Sequence, residues 1–526
     1  MTESINTPTS AELDRELMGR DIKDLAGGAL VTFVGKAGRI SRGAFIWVIS
    51  ALCGWDVQGL YTVAWGYVST LNKIARFGMQ RAVVRYVVVG RTEGEETAVE
   101  RTQAVAMATA CVAGTLVAAA TYLSADMIAA AYDSPIASAI RIMALSSPFM
   151  AVTAVLVAST RALRIMRYDV YVNSIAGPLV LLVGGLMVGL SGWGLMGVAW
   201  AQVAMAVGVC ALSVYYFRQF FTVSGFVNRL GRGLPWSSMT RFSFPVMLAD
   251  VLYGLLTQID VFMLLLFVDA KLVGVYALLR RAASIMLKAF QAFDPIFSPI
   301  ISELAHRQKY RELSYQFEVA SRWILTINLP IFAALFILGD YFMQAAGGER
   351  LAGLTPDELK AGVQVLLILC LGMMVQGIFA VGESLLAMEG RPYLNMYNNA
   401  LWLTANVLLN LWLLPIYGIV GGAIAATASM VVANFARLAQ IYRIHGIHPL
   451  RRSLLKPLTA AGVPALALWW LRDYVMSGTN ALTLLALVPF LGIYLLLLTW
   501  FGIETEDRAL LQRVAAGLRR RLKREG

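Results

Sequence analysis

Fourteen apolar stretches, each long enough to cross a lipid bilayer, follow one another along this chain with only short polar breaks between them. A spanning helix needs about 20 predominantly apolar residues. Runs of that kind read over 24–54, 59–88, 102–124, 137–160, 170–190, 195–217, 242–267, 272–299, 319–339, 359–387, 393–414, 418–441, 456–476 and 480–501. Inside lipid each segment must satisfy its own backbone hydrogen bonds, so runs of this length are expected as helices rather than strands. The expected fold class is therefore an all-α polytopic membrane protein. Of the 526 residues 58% are apolar and 14% are charged, whereas soluble domains carry about 25% charged residues. That balance excludes a soluble enzyme, a nucleic-acid binder and a secreted domain. Residues 1–23 are polar with no cleavable apolar region, so the first run is expected as a retained helix. Cys53, Cys111, Cys210 and Cys370 sit in apolar surroundings without a paired spacing, and His306, His445 and His448 sit in polar segments. Neither set suggests a disulfide framework, a metal site or a buried proton relay.

The net charge of +12 is unevenly placed. One set of loops holds Arg91 and Arg101, Arg161, Arg164 and Arg167, Arg218 to Arg241, Arg307 to Arg311, Arg391, and Arg443 to Lys456. The opposite set offers little beyond Lys271 and Arg350. Basic loops face the cytoplasm, and an even number of spans puts both termini on that side. The segment 502–526 reads as a basic amphipathic helix on the inner membrane surface. The loops on the far side are short, the longest running over 340–357, and the first of them holds no acidic pair. Nothing there provides for catalysis, and the chain is read as a transporter rather than an enzyme.

An internal repeat divides the spans. Gly194, Gly197, Ala199 and Ala201 fall on Gly418, Gly421, Ala423 and Ala425, an offset of 224, and Gly59-Leu60-Tyr61 falls on Gly274-Val275-Tyr276, an offset of 215. Spans 1–6 are thereby expected to repeat as spans 7–12, with spans 13 and 14 as additions. The expected organisation is a cytoplasmic segment 1–23, an N-lobe 24–217, a linker 218–241, a C-lobe 242–441, the extra pair 456–501 and the tail 502–526.

The run from Tyr417 to Ala428, YGIVGGAIAATA, resembles the twelfth-helix motif of polysaccharide flippases. The stretch from Tyr61 to Tyr86 with FGMQRAVVRY resembles their second helix, and Phe244-Pro245 to Asp260 followed by Val273 to Tyr276 resembles their seventh and eighth. The chain thus resembles the Wzx-like O-antigen and exopolysaccharide flippases of the multidrug/oligosaccharidyl-lipid/polysaccharide exporter superfamily. The resemblance implies two six-helix lobes around a central cavity, alternating access, and a place in a bacterial inner membrane, as a monomer. It also implies a lipid-linked oligosaccharide as cargo, with membrane lipids and the polysaccharide polymerase or chain-length machinery as partners. An ion-coupled multidrug exporter of the same fold, a lipid II flippase, and a scaffold or enzyme subunit of a polysaccharide machine remain open as alternatives.

Charges within the spans favour an anionic cargo. A charge at mid-bilayer costs about 2.5–3.5 kcal/mol on insertion scales and marks a functional site by default. Lys36, Arg39 and Arg42 lie 13 to 19 residues beyond Lys23, Lys73 and Arg76 share a face of span 2, and Arg280, Arg281 and Lys288 follow in span 8. These eight are the candidate substrate-binding cations, since arginine grips phosphate in a bidentate way. A later start to span 1, with an amphipathic lead-in, is the competing reading of the first three. Arg81 and Arg85 read as anchors at the inner interface. Asp250, Asp260, Asn399, Asn406 and Thr427 are candidates for ion coupling: hard oxygen ligands suit Na+, a carboxylate alone suits a proton, and salt bridging or interhelical hydrogen bonding is the alternative. By position after Phe244-Pro245, Asp260 matches an acidic residue that serves ion coupling in the lipid II flippase. No other cofactor is expected.

Overall fold

The computed structural model describes residues 44–132, 135–163, 165, 167–221, 236–291, 293, 301, 304, 307–347, 354–388, 391–447, 452–470 and 487–500. Among the described residues the chain is helical throughout, without a strand. Among the described residues eight helices are long and apolar enough to cross a membrane. The chain is a multi-pass all-α membrane protein. It divides into two units, Met1–Leu278 and Leu279–Gly526.

In the first unit α1 (Ala44–Cys53) meets α2 (Trp55–Arg76) across Gly54, whose φ of 96° turns the chain. The reading of span 2 as one helix over 59–88 needs revision, because the helix is broken. α2 ends at Arg76, and α3 (Met79–Thr92) begins after two successive left-handed residues, Phe77 at φ 48° and Gly78 at φ 67°. The cause lies in α9 (Trp236–Leu265). A Cβ on Gly78 would run into the Ser243 carbonyl and lie 3.1 Å from Val246 Cβ and 3.2 Å from the Met247 amide. Only glycine lets the two backbones approach so closely, and it takes up the positive φ without steric cost. α9 carries Pro245 at the same level, where the ring removes a helix hydrogen bond.

Beyond α3 come α4 (Glu96–Ala131), α5 (Ala137–Ala144) and α6 (Ser147–Ala162). One core joins α2, α3, α4, α6 and α9, and alongside valines and methionines it holds the small side chains of Ala75, Ala82, Ala106, Ala110, Ala151 and Ala158. Small residues are what membrane helices use to approach one another, since lipid supplies little hydrophobic drive for helix association. α7 (Arg167–Ser191) opens with a π-helical stretch over Val170–Ala176, and α8 is Gly194–Phe217. α10 (Ala270–Ala283) packs on α2 through glycines: a Cβ on Gly59 would strike the Ala270 carbonyl, and one on Gly274 would strike the Trp55 carbonyl and lie 3.1 Å from the Gly59 amide. The two glycines paired by the repeat thus touch each other.

In the second unit α11 (Tyr310–Gly347) contains Pro330 and a kink at Leu338, and α12 (Pro356–Met388) follows a capping box between Thr355 and Glu358. α13 (Pro392–His445) is interrupted at Gly418, with φ 54° and ψ −134°, at the expected boundary between spans 11 and 12. Gly194 has the same φ of 54°. Gly197 lies against Val188 as Gly421 lies against the Leu413 carbonyl, and Ala199 and Ala423 are both fully buried. α14 (Leu455–Trp470) packs on α11, and α15 (Leu487–Trp500) packs on α14 and fixes itself by the Tyr494 hydroxyl donating to the Thr326 carbonyl at 2.7 Å. Each of the fourteen expected spans contains described helix. The first is represented by the short α1, the eighth by α10 and, past a turn at 284–285, by helix over 286–291, and the segment 502–526 lies outside the described residues.

Candidate functional site

The break in span 2 gathers charge. Lys73 and Arg76 occupy the last turn of α2, three residues apart and hence on one face. Two residues past the Phe77–Gly78 turn, α3 presents Gln80 and Arg81. α9 faces them with Asp250. Its two carboxylate oxygens accept from Arg81 Nη2 at 2.9 Å and from Gln80 Nε2 at 3.0 Å. One turn on, the Lys73 ammonium lies 5.9 Å from the Tyr253 ring centroid. Its stem crosses Gly254, where a Cβ would come within 2.8 Å of Lys73 Cδ. Arg85, a further turn down α3, stacks over Phe242 at 4.8 Å.

The cluster is out of electrostatic balance. Lys73, Arg76 and Arg81 bring three positive charges, and Asp250 returns one. Arg81 alone among the three cations forms an ion pair with an acid within 4 Å among the described residues. Arg76 Nε is buried with no hydrogen-bond partner. Neither side-chain amide atom of Asn72, one turn before Arg76 and only 2% exposed, has one either. Buried polar groups in a settled structure are normally satisfied, so the cluster has unused capacity to donate hydrogen bonds and uncompensated positive charge.

Of the eight expected cations, Lys73 and Arg76 are brought together here. Lys36, Arg39 and Arg42 lie outside the described residues. Arg280 and Arg281 stand in the last turn of α10, half-buried and exposed respectively, and exposed Lys288 donates to Gln291 at 3.1 Å. These three belong to the second unit. Among the ion-coupling candidates, buried Asp260 sits ten residues beyond Asp250 on α9, about 15 Å along the helix, so the two acids do not share a site. In the second unit Asn399 is half-buried, Asn406 donates to Ser429 Oγ at 3.2 Å, and Thr427 Oγ1 donates to the Ile368 carbonyl at 2.9 Å, tying α13 to α12. Among the described residues no group of three His, Cys, Asp or Glu could hold a metal ion.

Two features escaped the sequence reading. Arg81, expected as an interface anchor, reaches an acid on another span. Arg437, 2% exposed, is the largest fully buried side chain among the described residues: it lies 3.6 Å from Glu383 and donates to Asn434 at 2.9 Å, while Asn434 donates to Gln376 at 2.5 Å and Asn398 and Gln440 exchange amide hydrogen bonds at 2.8 and 2.9 Å. A lone arginine within the apolar run 418–441 was the available signal.

Comparison with known proteins places this architecture. The profile of a family described as "Polysaccharide biosynthesis protein" matches residues 57–354, more than half of the chain. The "Probable flippase AglR" of Haloferax volcanii is 25% identical over 222 residues, which is 42% of this chain and 45% of the relative, so the match spans less than half of that protein. The lipid II flippase MurJ in an inward closed conformation superposes with a TM-score of 0.71 at 13% identity, over 90% of this chain and 98% of MurJ. An inward-facing multidrug resistance MATE family transporter of the MOP superfamily gives 0.64 at 12% identity, over 78% and 94%. At such identities the likeness is one of fold, and it is the fold that the family resemblance implied.

Proposed function

This chain belongs to the polysaccharide biosynthesis protein family, and from that premise we propose that it is a flippase for a lipid-linked oligosaccharide. The cargo is an undecaprenyl-pyrophosphate-linked glycan destined for O-antigen, exopolysaccharide or capsule, carried from the cytoplasmic to the periplasmic leaflet of a bacterial inner membrane by alternating access. The observation that carries this reading is the charge imbalance at the break in span 2, where Lys73, Arg76 and Arg81 face one carboxylate. A headgroup bearing two phosphates loses its hydration on entering a membrane protein, and cationic donors are what compensate that loss. A cationic drug would be repelled there, which weighs against the multidrug alternative. Lipid II shares the pyrophosphate and differs in its sugars, so the cluster suits it equally. The basic loops support a topology with both termini in the cytoplasm. Coupling to Na+ or to protons belongs to the same proposal, with Asp250, Asp260, Asn399, Asn406 and Thr427 as its candidates.

The test is translocation of a lipid-linked oligosaccharide in proteoliposomes. Lys73→Ala and Arg76→Ala are compared with wild type and with Arg307→Ala in a loop outside the cluster. The reading expects translocation to fall in both cluster variants and to persist in the loop variant. Folded cluster variants that translocate normally would refute it, and a lipid II substrate moved faster than the glycan carrier would transfer the assignment to that cargo.

A further inference from the structure

Resting on that reading, we infer that Asp250 is an internal stand-in for the cargo's phosphate: its carboxylate holds the cationic cluster in the unloaded protein and is displaced by the diphosphate headgroup. The first ground is geometry. The two oxygens of Asp250 accept from two different donors, a guanidinium at 2.9 Å and a primary amide at 3.0 Å. Neighbouring oxygens of a phosphate present the same pair of acceptors.

The second ground is what the pair leaves undone. Side-chain exposures of 59% for Arg81 and 23% for Asp250 show an ion pair in reach of a ligand rather than one sealed in a core. Pairs of that kind contribute little to stability, and α3 and α9 are already held by the backbone approach at Gly78. Asp250 makes no ion pair with Lys73 or Arg76, and the hydrogen-bonding capacity of Arg76 Nε and Asn72 is unused. A carboxylate carries one charge and engages two donors. A diphosphate carries more charge and more acceptor oxygens, and it can take those two donors together with the idle ones.

The third ground is the consequence for turnover. A transporter must bind its cargo and also release it. An attached carboxylate that returns to Gln80 and Arg81 competes with the departing headgroup as an intramolecular ligand, at an effective concentration that dilution of free anions does not change. Asp250 is on this account a positioning and release residue, which sets anion affinity without contacting the cargo.

The experiment measures binding of undecaprenyl pyrophosphate to the full chain in nanodiscs of uncharged lipid, with inorganic pyrophosphate run beside it and translocation measured on the same variants. Asp250→Asn removes the competing charge and keeps the shape. Its affinity for both probes should rise about two- to fivefold, the scale of one exposed charge-assisted pair, while translocation slows. Asp250→Glu restores the carboxylate and should return affinity toward wild type, which keeps the test decisive if the asparagine variant folds poorly. Arg81→Gln should weaken binding, and adding Asp250→Asn to it should give a smaller gain than in wild type. Unchanged or weaker binding by Asp250→Asn overturns the inference, and if Lys73→Ala still abolishes binding the flippase reading survives. A gain for the lipid without a gain for inorganic pyrophosphate also overturns it, since the phosphates would then not be what competes. Failure of both wild type and Asp250→Asn to bind either probe overturns the inference and the reading beneath it.

Discussion

Gly78→Ala probes the joint on which the candidate site depends. Two costs add at this position. With φ at 67° the residue is left-handed, where a side chain costs about 1–2 kcal/mol. The new Cβ would also collide with the Ser243 carbonyl and press on Val246 Cβ at 3.1 Å and the Met247 amide at 3.2 Å. Those atoms belong largely to helix backbone and cannot rotate aside, so α9 must back away, an overpacking cost of about 1–3 kcal/mol. The total is about 2–5 kcal/mol. Gly446 separates the two contributions: its φ is 68°, and a Cβ there meets nothing within 4 Å, so Gly446→Ala should cost about 1–2 kcal/mol from the backbone alone. Thermal unfolding in detergent, followed by tryptophan fluorescence, should place Gly78→Ala clearly below Gly446→Ala. Because α9 carries Asp250, Gly78→Ala should also lower translocation, whereas Gly446→Ala should leave it closer to wild type. Equal unfolding midpoints for the two variants would refute the claim that α9 packs directly on the turn.

Further outcomes follow from other contacts. Glu383→Ala strands the buried Arg437 guanidinium, whereas Arg437→Met removes the charge and leaves a half-exposed Glu383 in reach of water. The first should destabilise by about 1–3 kcal/mol and the second by less, a ranking that thermal unfolding checks. Gly274→Val should push α10 off α2, at about 1–3 kcal/mol, seen as a lower unfolding midpoint, because the atoms it meets include the Trp55 carbonyl and the Gly59 amide. Thr427→Val deletes one interhelical hydrogen bond to Ile368 and should cost about 1 kcal/mol. If its translocation instead loses all dependence on a Na+ or proton gradient while the fold is retained, Thr427 serves coupling in addition to packing.

Much of the architecture could be read before any coordinates. The apolar runs identified a polytopic helical protein, the boundary near Gly418 was visible as the break Pro415-Ile416-Tyr417-Gly418, and the matched glycines 194 and 418 share a positive φ of 54°. Lys73 and Arg76 stood out because charge within an apolar run is costly wherever the chain goes. All of these are properties of contiguous residues: transfer energy, helix length and local turn preference act along the chain and need no knowledge of what lies beside it.

What the tertiary structure decided is which charges meet. Nothing around Phe77 and Gly78 announces a break, because the reason for it is the carbonyl of Ser243, 165 positions away. Asp250 stood open between ion coupling and a salt bridge until α9 brought it to Arg81 and Gln80, and nothing in the sequence paired Arg437 with Glu383, against which it lies 2% exposed. Coulomb attraction and hydrogen bonding act over a few ångströms of space. They depend on the approach of segments that only packing brings together, so the membrane class and the helices were legible in the sequence, while the pairing that turns a set of costly cations into a candidate anion site was not.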